Sequence, residues 1–140
     1  MPQSSKNRDI ASLCGKLEME ISALEENDRI EFLEEMGIDE PAFKKVLKKS
    51  YNLLGIISFL TAAENESRAW PIPHGYSAYQ AAGEIHSDIQ RGFIKAETIH
   101  HTELLAAKGW SNARKIGKVR LEGKEYIIKD GDVILYRFNV

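Results

Sequence analysis

Apolar positions recur at helical spacing through the first fifty residues and at strand spacing after them. Residues 1–9 are polar and carry no periodicity. From Ala11 to about Leu24, Leu17, Ile21 and Leu24 share one face, which predicts a helix. The run "ENDRIEFLEEMGID" predicts a short second helix, with Asn27 or Asp28 capping its start and Gly37 ending it in the left-handed region. Asp39 is placed to cap a third helix, with Pro41 tolerated in its first turn. There Phe43, Val46, Leu47, Tyr51 and Leu54 keep the i, i+3, i+4 rhythm, and Lys44, Lys45, Lys48 and Lys49 lie mostly off it as a solvated face.

The pattern changes at Leu53. "LLGIISFLTA" reads as a strand, "ENES" as a turn and "RAWPIP" as a second strand, with Arg68, Trp70 and Ile72 on one side. Pro71 and Pro73 lack an N–H, so this second strand belongs at a sheet edge. In "GYSAYQAAGEIHSDIQRG", Ser77 and Gln80 match a capping box. Ala78, Ala82, Ile85 and Ile89 then form one apolar stripe, which predicts a single helix ended by Gly92 in the left-handed region. "FIKAETI" predicts a strand, "HHTELLAAKG" a short helix capped by Thr102, and "WSNARKIG" an irregular basic loop. The remaining "KVRLEGKEYIIKDGDVILYRFNV" predicts two or three strands, with Gly123 and Gly131 turning at positive φ. The order β-β-α-β-(α)-β-β predicts an α+β fold, one mixed sheet packed on one main helix.

Composition adds limits rather than a function. At 140 residues, 43% apolar and 29% charged, the chain is sized for one domain with a helical extension. The net charge of −2 argues against a general polyanion binder, but the charge is uneven. Residues 1–50 carry 8 Lys/Arg against 11 Asp/Glu, whereas residues 108–124 carry six cations against Glu122 alone. The one cysteine, Cys14, allows no intramolecular disulfide and fits a reducing compartment. No apolar run is long enough to cross a membrane, and "MPQSSKNRDI" lacks the apolar core of a signal peptide, so a cytoplasmic protein without membrane contact is expected.

The adjacent His86, Ser87 and Asp88 are the residue types of a hydrolase triad. Consecutive positions on one helix diverge by about 100° each, so they do not converge on a substrate. A phosphate loop is equally missing. Gly15-Lys16, Gly117-Lys118 and Gly123-Lys124 each lack the earlier glycine, having Ile10, Asn112 and Lys118 in its place. His100 and His101 are adjacent and are expected to point apart, which makes a poor metal site, and Glu25-Glu26 and Glu34-Glu35 read as solvated faces. No catalytic machinery, cofactor or metal is expected.

Two blocks carry a family resemblance. "AAGEIHSDIQRGFIKAE" and "GKVRLEGKEYIIKDGDVILYRFNV" resemble the C-terminal segment of the YchF family, Obg-related NTPases that end in a TGS domain, a ubiquitin-like β-grasp module. The hairpin "ISFLTAAENESRAWPIPHG" is similar to that family's strand pair. "SLCGKLEMEISALEENDRIEFLEEMGI" resembles the end of its G domain, with Ser12, Cys14, Gly15 and Lys16 where the last base-side loop lies. The resemblance covers about residues 11–140. It departs at Ile89 and Gln90, where the family has an aromatic and then an acidic residue.

The resemblance implies a helical extension over residues 1–52, a remnant of the G-domain C-terminus, and a TGS-like β-grasp domain over residues 53–140. It also implies that phosphate loop, switches and base-specificity motif would precede residue 11, so that the chain is a back portion standing alone, a cut-down polypeptide or a truncated gene product. Cys14, Gly15 and Lys16 would then be a nucleotide-binding remnant without activity. The implied role is recognition of ribosome, RNA or a protein partner, and Arg91, Lys95, Trp110, Arg114, Lys115, Lys118 and Arg120 are the candidate contacts: cations for phosphate, an indole for stacking. Against this stands the plainer expectation that Trp110 is partly core and the lysines ordinary surface. A different reading makes the chain a regulatory or docking module for a separate NTPase domain, with apolar surface near Leu17 and Ile21 as its interface.

Overall fold

Gly55, at φ +64°, ends a helix and turns the chain into its first strand. In the computed structural model, which describes residues 8–62 and 66–139, the chain divides there into two compact units, Met1–Leu54 and Gly55–Val140. Most of the polar N-terminal stretch, and Glu64 and Asn65 of the expected turn, lie outside the described residues.

The first unit holds α1 (Gly15–Ala23), α2 (Glu26–Glu35) and α3 (Ala42–Leu54). Its helix ends differ from expectation. Asn27 and Asp28 sit inside the first turn of α2 rather than capping it. Asp39 and Pro41 precede α3, whose first N–H, on Ala42, donates instead to the Glu18 carboxylate of α1 at 2.9 Å. The α2 terminus follows the expected rule. Gly37 takes φ +62°, the Gly37 N–H reaches Glu34 O at 3.1 Å, and the Ile38 N–H reaches Leu33 O at 2.9 Å. That pairing satisfies two end carbonyls of the helix. Leu53 and Leu54 are helical, so the strand begins at Ile56, later than expected.

The second unit is one five-stranded sheet with helices on both faces. Its elements are β1 (Ile56–Ala62), β2 (Ser67–Pro73), α4 (Ala78–Ile85), α5 (Ser87–Arg91), β3 (Phe93–His100), α6 (His101–Ala106), α7 (Trp110–Lys115), β4 (Arg120–Glu122) and β5 (Asp132–Phe138). The strand order is β2-β1-β5-β3-β4, with β1 and β5 parallel and the other neighbours antiparallel. The predicted edge position of β2 is observed, and the ladder explains how it tolerates two prolines. His74 N–H donates to Gly55 O, so Ile72 and Trp70 also direct their N–H groups at β1. Pro71 and Pro73 fall at the alternate positions, where a nitrogen faces solvent, and they remove donors from the open edge alone.

Alanines set the main core. Ala78, Ala81 and Ala82 are fully buried and bring α4 close to Phe59, Ile72, Ala96, Ile134 and Tyr136. A smaller cluster on the other face joins Ile99, Ala113 and Val133, with Leu60, Leu104 and Trp110 around them.

The predicted capping box is present: Gln80 N–H donates to Ser77 Oγ at 3.3 Å and Ser77 N–H to Gln80 Oε1 at 2.9 Å. The single helix predicted beyond it is instead two. His86 adopts an extended conformation, closes α4, and caps α5 by accepting the Asp88 N–H on Nδ1 at 3.1 Å. Gly92 has φ −87°, not a positive value. Its requirement is space: a Cβ there would lie 2.2 Å from the carbonyl oxygen of Asn139. Gly123 likewise is not among the positive-φ glycines, whereas Gly131 has φ +77°. "WSNARKIG" is largely the helix α7 rather than a loop, held between Gly109 (φ +120°) and Gly117 (φ +70°).

Candidate nucleic-acid interface

The basic segment folds so that its cations leave in different directions. On β3, side chains alternate between the two sheet faces. Ala96 and Thr98 face α4, so Lys95 and Glu97 face the other way, where α6 and α7 lie. The β3–β5 register sets Arg137 opposite Lys95. Glu97 is 7% exposed and sits between two guanidiniums. Arg137 Nε donates to its Oε1 at 2.7 Å, and Arg114 Nε donates to its Oε2 at 2.9 Å, with Arg114 Nη2 2.8 Å from the same oxygen as an ion pair. Burial alone would raise the carboxyl pKa, but the two guanidinium bonds outweigh it and hold the group below the usual range.

Trp110 starts α7, half-buried on the small core cluster, with its indole N–H donating to Ala62 O at 3.2 Å. Arg114 lies over its ring, 5.6 Å from the centroid. The indole thus anchors the helix that presents Arg114 and Lys115.

Arg120 is on the opposite face. Its cross-strand partner Thr98 and its bonded partners Tyr126 and Asp132 lie on the α4 side. Tyr126 O–H donates to Asp132 Oδ2 at 2.8 Å, and burial first, then this bond, push its pKa up to about 12. Lys118 pairs with Glu103 of α6 at 3.0 Å, and Arg91 with Asp88 at 2.8 Å. Lys95 and Lys115 have no carboxylate within ion-pair distance among the described residues. The structure therefore brings Lys95 and Arg114 to one side with Arg137, leaves Lys115 exposed on the same helix α7, and separates Arg120 and Arg91 from them. Arg137 is absent from the sequence-derived set because only the β3–β5 register reveals its place beside Lys95.

Cys14, Gly15 and Lys16 lie in the first unit. Cys14 precedes α1 without a side-chain cap bond, and Lys16 is exposed, 4.0 Å from Glu20. The expected divergence of His86 and Asp88 does not hold, because His86 is outside the helix: its Nδ1 lies 3.6 Å from Asp88 Oδ2. The same nitrogen is occupied as a helix cap, so it is not poised as a base for Ser87. His100 and His101 also do not diverge. One ends β3 and the next starts α6, and their rings lie 4.3 Å apart. His100 Nδ1 is bonded to the Thr102 hydroxyl at 2.7 Å and accepts the Thr102 N–H, so His100, not Thr102, caps α6. Among the described residues no group of three or more His, Cys, Asp or Glu could hold a metal ion, and no helix is long and apolar enough to cross a membrane.

Residues 56–139, nearly all of the second unit, match the family model YchF-GTPase_C, described as "Protein of unknown function (DUF933)". The chain belongs to the YchF family. The ribosome-binding ATPase YchF of Bacillus subtilis is 49% identical over 137 residues, covering 98% of this chain and 37% of that protein. Its namesake in Escherichia coli is 44% identical over 131 residues, covering 94% of this chain and 36% of that protein. The solved YchF GTPase of Schizosaccharomyces pombe superposes with a TM-score of 0.71 at 31% identity, over 84% of this chain and 31% of that one. This YchF chain thus spans little more than a third of the length of the curated relatives it matches.

Proposed function

We propose that this YchF-family chain is a cytoplasmic recognition module that contacts ribosomal RNA and hydrolyses no nucleotide by itself. In this reading the second unit is a ubiquitin-like β-grasp (TGS) domain, and the first is the end of a G domain, with Cys14, Gly15 and Lys16 a remnant of its base-side loop. The strand order β2-β1-β5-β3-β4 with α4 across one face supports the fold assignment. Relatives named ribosome-binding ATPases support the partner. The observation that carries the reading is the grouping of Lys95, Arg114 and Arg137 on the face of the sheet that α7 covers, with Lys115 exposed on that helix, in which the two lysines have no acidic partner among the described residues. Lysines without local partners are available to phosphate, and Trp110 holds α7 in place to present them.

The test uses a fluorescent ribosomal RNA fragment and sedimentation with ribosomes. Charge reversal at Lys95 and Lys115 together should weaken binding. It should also reduce the slope of log affinity against log salt by roughly 0.7 per lost phosphate contact. Unchanged affinity and slope would refute the interface. Calorimetry with ATP or GTP and Mg²⁺ should show no tight binding, and micromolar affinity would refute the remnant reading of residues 14–16.

A second reading, docking onto a separate NTPase domain, loses the interface expected near Leu17 and Ile21, because Ile21 is buried and Leu17 partly so, and is favoured instead by α3. Phe43, Leu47, Tyr51 and Leu54 form an exposed apolar stripe along that helix. A clean monomer with no affinity for a YchF G domain would remove this second reading.

A further inference from the structure

On the α4 face of the second unit, away from Lys95 and Arg137, a groove of about 400 Å³ is walled by the β1–β2 hairpin, the α4–α5 pair and the end of β5. That volume is in the range of pockets that enclose a ligand or an anchoring side chain. The walls are Trp70, Ile85, Ile89 and Phe138. Phe138 remains 45% exposed, which leaves apolar area in water. The Trp70 indole N–H is already committed, donating to Thr61 Oγ1 at 3.0 Å, so the indole adds apolar surface to the wall.

Two polar groups at this groove have no counterpart. The Arg68 guanidinium carbon lies over the Trp70 ring, 4.1 Å from the centroid, and no carboxylate is within ion-pair distance of it among the described residues. The cation–π contact holds the guanidinium beside the ring, and its N–H donors remain to be met by an acceptor. Tyr136 lines the groove and is 8% exposed, and its hydroxyl is buried without a hydrogen-bond partner among the described residues. An unpartnered buried hydroxyl costs free energy that an incoming acceptor would recover. Arg68 can be met only by an acceptor, and the Tyr136 hydroxyl can donate to one, both beside apolar surface. Glu66 at the rim disfavours a polyanion, so one local acid suits the groove better than a nucleic-acid backbone.

We infer that this groove binds an acidic-apolar peptide segment of a partner protein, its large apolar side chain against Trp70, Ile89 and Phe138 and its carboxylate on Arg68. This goes beyond RNA recognition and uses the opposite face of the sheet, so the two can fail separately. The experiment titrates the isotope-labelled full chain with capped acetyl-Leu-Phe-Asp-Leu-amide, and with its lysine counterpart, while following backbone amide NMR signals. The aspartate peptide should give saturable shifts at Arg68, Trp70, Ile89 and Phe138. The lysine peptide should bind about tenfold more weakly. Arg68→Ala should remove that preference, and Phe138→Ala should weaken both peptides, with signals on β3 unchanged in each variant as the check on folding. Absence of saturable groove shifts at millimolar peptide overturns the inference. Equal affinity for both peptides, or groove shifts that track the concentration of the chain alone and so report a second copy, overturns it as well.

Discussion

Glu97→Gln tests how the charged face is held together. The carboxylate carries bonds from Arg137 on one oxygen and Arg114 on the other. A glutamine keeps the shape but has one acceptor oxygen, so one guanidinium loses its partner and the other loses charge assistance. Hydrogen bonds to charged groups contribute roughly 1.5–3 kcal/mol each. The Arg114 and Arg137 side chains are 42% and 48% exposed, so water replaces part of what is lost, which places the total near the low end, about 2 kcal/mol. Urea unfolding at neutral pH should show that loss as a lower midpoint with an unchanged slope. The pH dependence gives an independent readout. The folded-state pKa of Glu97 is lowered, so its contribution is present above the unfolded carboxylate value, near 4.3, and is lost as pH falls through the folded value. The difference between wild type and variant should therefore shrink as the solution is acidified. RNA binding should move the other way, since two guanidiniums released from Glu97 become available to phosphate. A variant as stable as wild type at every pH, with unchanged RNA affinity, would refute both the clamp and its proposed link to binding.

Gly92→Ala should cost about 1–3 kcal/mol in urea unfolding, because the new methyl meets the Asn139 carbonyl and one backbone must yield. Tyr136→Phe should be neutral or stabilising by up to about 1 kcal/mol in the same assay, since it removes a buried hydroxyl that has no partner among the described residues; a clear loss would reveal a further bond. Trp110→Leu should lower stability in urea unfolding and, by loosening α7, weaken RNA binding with the salt slope kept, since the indole positions the cations and does not itself contact phosphate. In an alkaline phenolate titration, Tyr126 should ionise late, near pH 12. Its folded pKa is raised above the unfolded value near 10, so its contribution is complete below that value and disappears as pH rises through the folded one.

The elements legible in the sequence are those whose signal is local. The Ser77–Gln80 capping box, the Gly37 helix terminus and the prolines of β2 each write their geometry within a few residues, and each is found where expected. The misread elements are fixed by distant partners. α7 reads as a loop because its apolar residues, Trp110 and Ala113, gain meaning only from the sheet face under them. Gly92 imitates a helix-terminating glycine, but what demands it is Asn139, at the other end of the unit. The apolar stripe of α4 runs on through Ile85 and Ile89, so its period conceals the break at His86, where a side chain supplies its own cap. The candidate interface follows the same logic. Counting charges along residues 108–124 groups Arg114 with Arg120, although Arg114 reaches Glu97 from α7 on one face of the sheet and the pleat of β4 turns Arg120 to the other. It also omits Arg137, which lies beside Lys95 through a pairing forty-two residues apart in sequence. A charge cluster in a β-rich chain is a property of strand register before it is a property of composition, and it is that register, through Glu97, that selects which cations remain for a partner.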